Sequence, residues 1–169
     1  MIKIVPYLLI LIVFSSIDCR RPNIDFSKKE EINFDKFKII NDIYKDCGSE
    51  TGSINKVTIT DCTQSPCVFT KGKNYTLVLE FTSKVDTTKV VNHVYGIVAK
   101  IPVPFPLPNG DGCTLGINCP VKSGDSVKES VTLPVLQEYP KISLFVKWQV
   151  MDQNNKQMIC LLFPVSIKS

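Results

Sequence analysis

Apolar residues recur at every second position through most of this chain, and that spacing limits what it can fold into more than any motif does. "YTLVLEFTS" sets Tyr75, Leu77, Leu79 and Phe81 on one face against Thr76, Glu80 and Thr82. "HVYGIVAKI" sets His93, Tyr95, Ile97, Ala99 and Ile101 together. "ISLFVKWQV" groups Ile142, Leu144, Val146, Trp148 and Val150, and "ICLLFPVSI" groups Ile159, Leu161, Phe163, Val165 and Ile167. Successive side chains of a strand point to opposite faces, so each run reads as a strand with one face to bury. "VTIT" near residue 57 and "VKESVTL" near 127 add two more, and the turn-forming clusters "KGKN", "NGDG", "KSGD" and "DQNNK" divide them. The expectation is an all-β chain of six to eight antiparallel strands, an immunoglobulin-like sandwich of two sheets with their inner faces packed together.

The first residues follow another pattern. Lys3 precedes an apolar run from Tyr7 to Phe14, and smaller residues lead to Cys19. That is the layout of a secretory signal peptide, and the run falls short of the roughly 20 apolar residues that span a bilayer. Residues 1–19 are therefore read as a signal, and residues 20–43, rich in charge with Phe34, Phe37 and Ile40 at near-helical spacing, as an N-terminal extension that is either a disordered leader or a short helix. The folded domain is expected over residues 44–167. Losing the signal removes one lysine and one aspartate, so the net charge stays at +4. Scattered lysines and so mild a balance give no footprint for nucleic acid.

Seven cysteines fall to six once Cys19 leaves, and an even set in a secreted chain implies disulfides. Cys62 and Cys67 bracket "TQSP", and Cys113 and Cys119 bracket "TLGIN"; a local bridge would close each turn, which leaves Cys47 for Cys160. A zinc site is disfavoured, because His93 is the one histidine and no CxxC pair exists. The chain also lacks a GxSxG elbow, a Walker loop and HExxH, and its acidic residues are read as lying mostly in turns and on polar faces. Nothing singles out a catalytic constellation, and no enzyme is expected. Asn74-Tyr75-Thr76 is a glycosylation sequon at the start of a strand.

"IPVPFPLP", residues 101–108, is as apolar as a core strand yet alternates with proline, which cannot donate to a central ladder. Each proline holds the residue before it in an extended conformation, so Ile101, Val103, Phe105 and Leu107 sit on a stiffened ribbon suited to an edge or a portal wall. No cysteine pair pins the two sheets through the middle, so an apolar cavity between them and a filled core both remain open.

Several segments resemble one family. "DCGS" at 46–49, "YGIVAKIPVPFPLPNGDGCTLGINCPV" at 95–121, "LPVLQEYPKISLFVKWQVMDQNNK" at 133–156 and "CLLFPVSI" at 160–167 are similar to the soluble Niemann-Pick type C sterol-transfer proteins of the ML lipid-recognition domain family. The resemblance implies an immunoglobulin-like sandwich with the same three disulfides and a sterol held between the sheets. It places Phe105, Val135 and Tyr139 at the pocket mouth and Val103, Pro134 and Trp148 at neighbouring wall positions. It implies a monomeric carrier, secreted or lysosomal, with no metal and no cofactor beyond its sterol or other lipid ligand. Its partner would be a membrane sterol transporter; the basic charge balance is expected to let the portal face dock transiently on anionic membranes. The alternative within the same family is an extracellular reader of lipids or glycolipids that acts in innate immunity.

Overall fold

The computed structural model describes residues 43–169. The signal peptide and all but the last residue of the extension lie outside them. Nine strands are found among the described residues: β1 (Lys45–Asp46), β2 (Gly52–Ile59), β3 (Cys67–Thr70), β4 (Asn74–Ser83), β5 (Val91–Val98), β6 (Ile101–Phe105), β7 (Ser126–Pro134), β8 (Ser143–Met151) and β9 (Gln157–Lys168). The small sheet runs β2-β4-β7, all antiparallel. The large sheet runs β1-β9-β8-β5-β6, with β3 beside the second half of β9.

The alternating runs map onto strands as expected. Tyr75, Leu77, Leu79 and Phe81 are buried along β4, and Trp148, Val150, Ile159, Leu161 and Val165 are each at most 2% exposed on the facing sheet. Nine strands are one more than the upper end of the expected six to eight, and three short ones, β1, β3 and β6, lie beyond the six runs named from the sequence. β3 is parallel to β9, not antiparallel, because it does not return by a hairpin: it follows the Cys62–Cys67 turn, where the chain leaves the small sheet for the large one. The proline ribbon is β6, an edge strand paired with β5 from Val94↔Phe105 to Val98↔Ile101, which is where proline is tolerated in a sheet.

The face of β5 needs correction. Val94 is the register partner of Trp148, so Asn92, Val94, Gly96 and Val98 face inward, while His93, Tyr95 and Ile97 lie on the other side, where His93 is exposed, Tyr95 half-buried and Ile97 buried. Both faces of β5 carry apolar residues, and alternation alone does not say which is buried.

The three disulfides are Cys47–Cys160, Cys62–Cys67 and Cys113–Cys119. The first fastens the start of the domain to β9, where the Cys47 amide also donates to the Cys160 carbonyl at 3.0 Å. None crosses the middle of the sandwich.

Candidate functional site

A cavity of about 530 Å³ lies between the sheets. Ile59, Tyr75, Leu77 and Leu133 supply the small-sheet wall; Val94, Val146, Phe163 and Val165 supply the opposite one. Its lining contains no charged side chain. The inward alternation that buries core residues elsewhere thus encloses space here. Apolar walls around a volume of that size suit an apolar ligand, because water inside would find few hydrogen-bonding partners.

Phe105, Val135, Tyr139, Val103 and Pro134 all line this cavity. Phe105 and Tyr139 meet edge to face, with ring centroids 6.2 Å apart and an interplanar angle of 80°. Val135 is fixed by two backbone hydrogen bonds: its amide donates to the Lys73 carbonyl at 2.8 Å, and its carbonyl accepts from Gly72 at 2.6 Å. Gly72 has φ +76°, a conformation that suits glycine, and Gln137 stands where its Cβ would be. The loop carrying Val135 and Tyr139 is thereby tied to the β3–β4 turn. Opposite, the β5–β6 turn uses Ala99 and Lys100 with φ of 49° and 70°, which delivers the proline ribbon to the cavity edge.

Trp148 stands elsewhere. Its indole is 1% exposed and faces inward, but it is not among the residues lining the cavity. Its Nε1 donates to Asn92 Oδ1 at 2.7 Å, and Asn92 Nδ2 donates to Glu129 Oε2 at 2.8 Å. Alternation fixed the face of Trp148 correctly and said nothing of its depth along the sandwich. Glu129 is fully buried on an inward face, an exception to the reading that acidic residues lie mostly in turns and on polar faces. The signal was present in "SVKESVTL", where Glu129 falls in phase with Val127, Val131 and Leu133. Burial pushes its carboxyl up to about 7, with the hydrogen bond from Asn92 opposing.

Apolar side chains also face solvent beside the cavity. Ile101 is 65% exposed, Val103 50% and Leu136 38%; exposed Lys100 adjoins Ile101, and exposed Lys141 lies between the lining residues Pro140 and Ile142. Asn74, the sequon residue, is exposed as the first residue of β4, opposite Pro134 in the ladder. No group of three or more histidine, cysteine, aspartate or glutamate side chains placed to hold a metal occurs among the described residues.

Residues 41–167 match the family model described as ML domain. The chain is 39% identical over 125 residues to NPC intracellular cholesterol transporter 2 of Canis lupus familiaris, covering 74% of this chain and 84% of that protein. It is 40% identical over 124 residues to the protein of the same name from Danio rerio, covering 73% and 83%. Among solved structures, a Niemann-Pick type C2 protein from Japanese carpenter ant superposes with a TM-score of 0.71 at 29% identity, over 75% of this chain and 99% of that one. Chicken MD-1, solved in complex with lipid IVa, shares the fold with a TM-score of 0.51 at 13% identity, over 72% and 85%. With the sandwich, the cavity and the three disulfides in place, these matches make the chain a member of the ML domain family, similar over most of its length to the Niemann-Pick type C2 proteins.

Proposed function

We propose that this protein is a soluble carrier that takes one sterol-like lipid into the cavity between its sheets and hands it to membranes or to a membrane sterol transporter. The cavity of about 530 Å³ with no charged lining residue carries the reading, and the likeness to proteins named cholesterol transporters supports it. Covering roughly 300 Å² of apolar ligand surface at about 25 cal/mol per Å² is worth about 7 kcal/mol before ordering costs. That holds an insoluble molecule without preventing its release. The proline ribbon keeps Phe105 extended before ligand arrives, so little entropy is lost on binding.

Transfer begins with contact in this reading. Ile101, Val103 and Leu136 enter the headgroup region while Lys100 and Lys141 meet anionic lipid. The carrier works in a secreted or lysosomal setting, acts as a monomer, and bears a glycan on Asn74 beside the cavity.

Native mass spectrometry of protein secreted from its own cells, with lipid extraction and competition by a fluorescent sterol at pH 5 and pH 7, tests the reading. One sterol per chain, displaced by the probe, is expected. A bound glycolipid, or a chain that neither carries nor takes up sterol, overturns it. Transfer between vesicles should quicken with anionic lipid and slow with salt; indifference to both removes the docking step.

A further inference from the structure

The buried chain Trp148–Asn92–Glu129 joins the inner faces of the two sheets: Trp148 and Asn92 belong to β8 and β5 of the large sheet, Glu129 to β7 of the small one. It lies just beyond the cavity wall. Val94, the next inward residue after Asn92 on β5 and the register partner of Trp148, lines the cavity. Glu129 Oε2 is held by Asn92, but Oε1 is buried and meets no hydrogen-bonding group among the described residues. A carboxylate in that position is short of donors, whereas a neutral acid is not penalised for its charge.

We propose that this chain is a proton-operated latch: neutral Glu129 keeps β7 clasped to the large sheet, and loss of its proton loosens that clasp and the cavity wall it backs. The element that gives is β7, an edge strand whose one ladder partner is β4, with a single backbone bond on its other edge, from the Ser130 amide to the Leu115 carbonyl at 2.9 Å. Two lining residues, Leu133 and Pro134, lie at its far end, so its displacement reaches the cavity.

The groups around Glu129 leave it to titrate without a cation. On β4 its register partner is Leu79, and Glu80 turns outward to pair with Lys128 at 3.5 Å. Asn92 and Trp148 face it from the large sheet, and His93 lies on the opposite side of β5. In the loop before β7, a Cβ on Gly112 would stand 3.2 Å from Glu129 Oε2, while neighbouring Asp111 accepts from the Cys113 amide. Asp152, the other buried carboxylate, accepts from the Asn154 and Lys156 amides.

With a native pKa raised to about 7 from 4.5, the folded state keeps a proton between those values that the unfolded chain has released. Stability from this group is full below 4.5, is lost as pH rises through 7, and is level beyond. The latch is shut in acid and loosened near neutrality.

The deciding experiment compares wild type with Glu129→Gln, which keeps the shape and an acceptor for Asn92 but does not titrate. Between pH 4.5 and 7.5 the folding equilibrium constant of wild type relative to the variant should fall on the order of 100-fold; a flat ratio overturns the latch. If the variant does not fold, a carbon-13 titration of wild-type carboxyls decides: one glutamate titrating above pH 6 supports the latch, and none doing so overturns it. A further measurement rests on the carrier reading. Release of a preloaded fluorescent sterol should speed up across pH 6–8 in wild type and not in Glu129→Gln. Equal pH profiles would sever the latch from the cavity, while a failure to load any sterol would count against the carrier and leave the stability comparison to judge the latch.

Discussion

A single indole shows what a side chain does when it faces a core without facing the ligand space. Trp148 donates to Asn92 Oδ1 at 2.7 Å, so its replacement by phenylalanine keeps most of the packing and strands a buried acceptor. Trp148→Phe should therefore lower stability by about 1–3 kcal/mol in urea unfolding while sterol affinity stays within about twofold. A loss of binding without a loss of stability would put Trp148 back in the wall. Phe105, Val135, Tyr139, Val103 and Pro134 were placed by motif likeness, and all five converge on one cavity. Asn92 and Glu129 escaped sequence reading because polar residues on an inward face break the pattern that identifies that face. Only after Trp148 is paired with Val94 does Asn92 become an inward residue.

Among the elements, strands were legible where one face is apolar and the other polar, as in β4. They were not legible where both faces are apolar, as in β5, or where the strand is too short to show a period, as in β1 and β3. The cysteines were legible from spacing, and their positions rank their effects. Cys47–Cys160 closes a loop with a sequence separation of 113, whereas Cys62–Cys67 closes one of 5. In the chain-entropy account the long bridge is worth roughly 5 kcal/mol and the short one roughly 2. Against a typical domain stability of about 5–15 kcal/mol, the first is a large share and the second a modest one. Replacing Cys47 and Cys160 together by serine should cost more than twice what replacing Cys62 and Cys67 costs in denaturant unfolding. Equal losses would mean that β1 stays docked on β9 through its backbone bonds alone.

For the whole molecule, the consequence of an unpinned sandwich is that part of its interior is left for a guest. The disulfides sit at edges and turns, the residues beyond the cavity wall close into a dense core, and the space between holds no charged side chain. Sequence alternation could not distinguish that arrangement from a filled core, because the residue types lining a cavity and filling a core are the same. Linkage separates them in solution. A ligand that binds only the folded state at about 100 times its Kd adds about 2.7 kcal/mol, or about 10 °C in Tm for a domain of this size. Stripping the lipid from the protein should lower Tm by that amount, and returning a sterol should restore it. Phe105 is half-buried on the edge strand β6, so Phe105→Ala should leave the stripped protein's Tm within a few degrees of wild type. Losing that ring from the wall should weaken binding on the order of tenfold or more. At the same sterol concentration the restoring shift then shrinks to about half or less. A full shift in Phe105→Ala would move the ligand away from the ring, and no shift in wild type would mean that the cavity does not hold sterol.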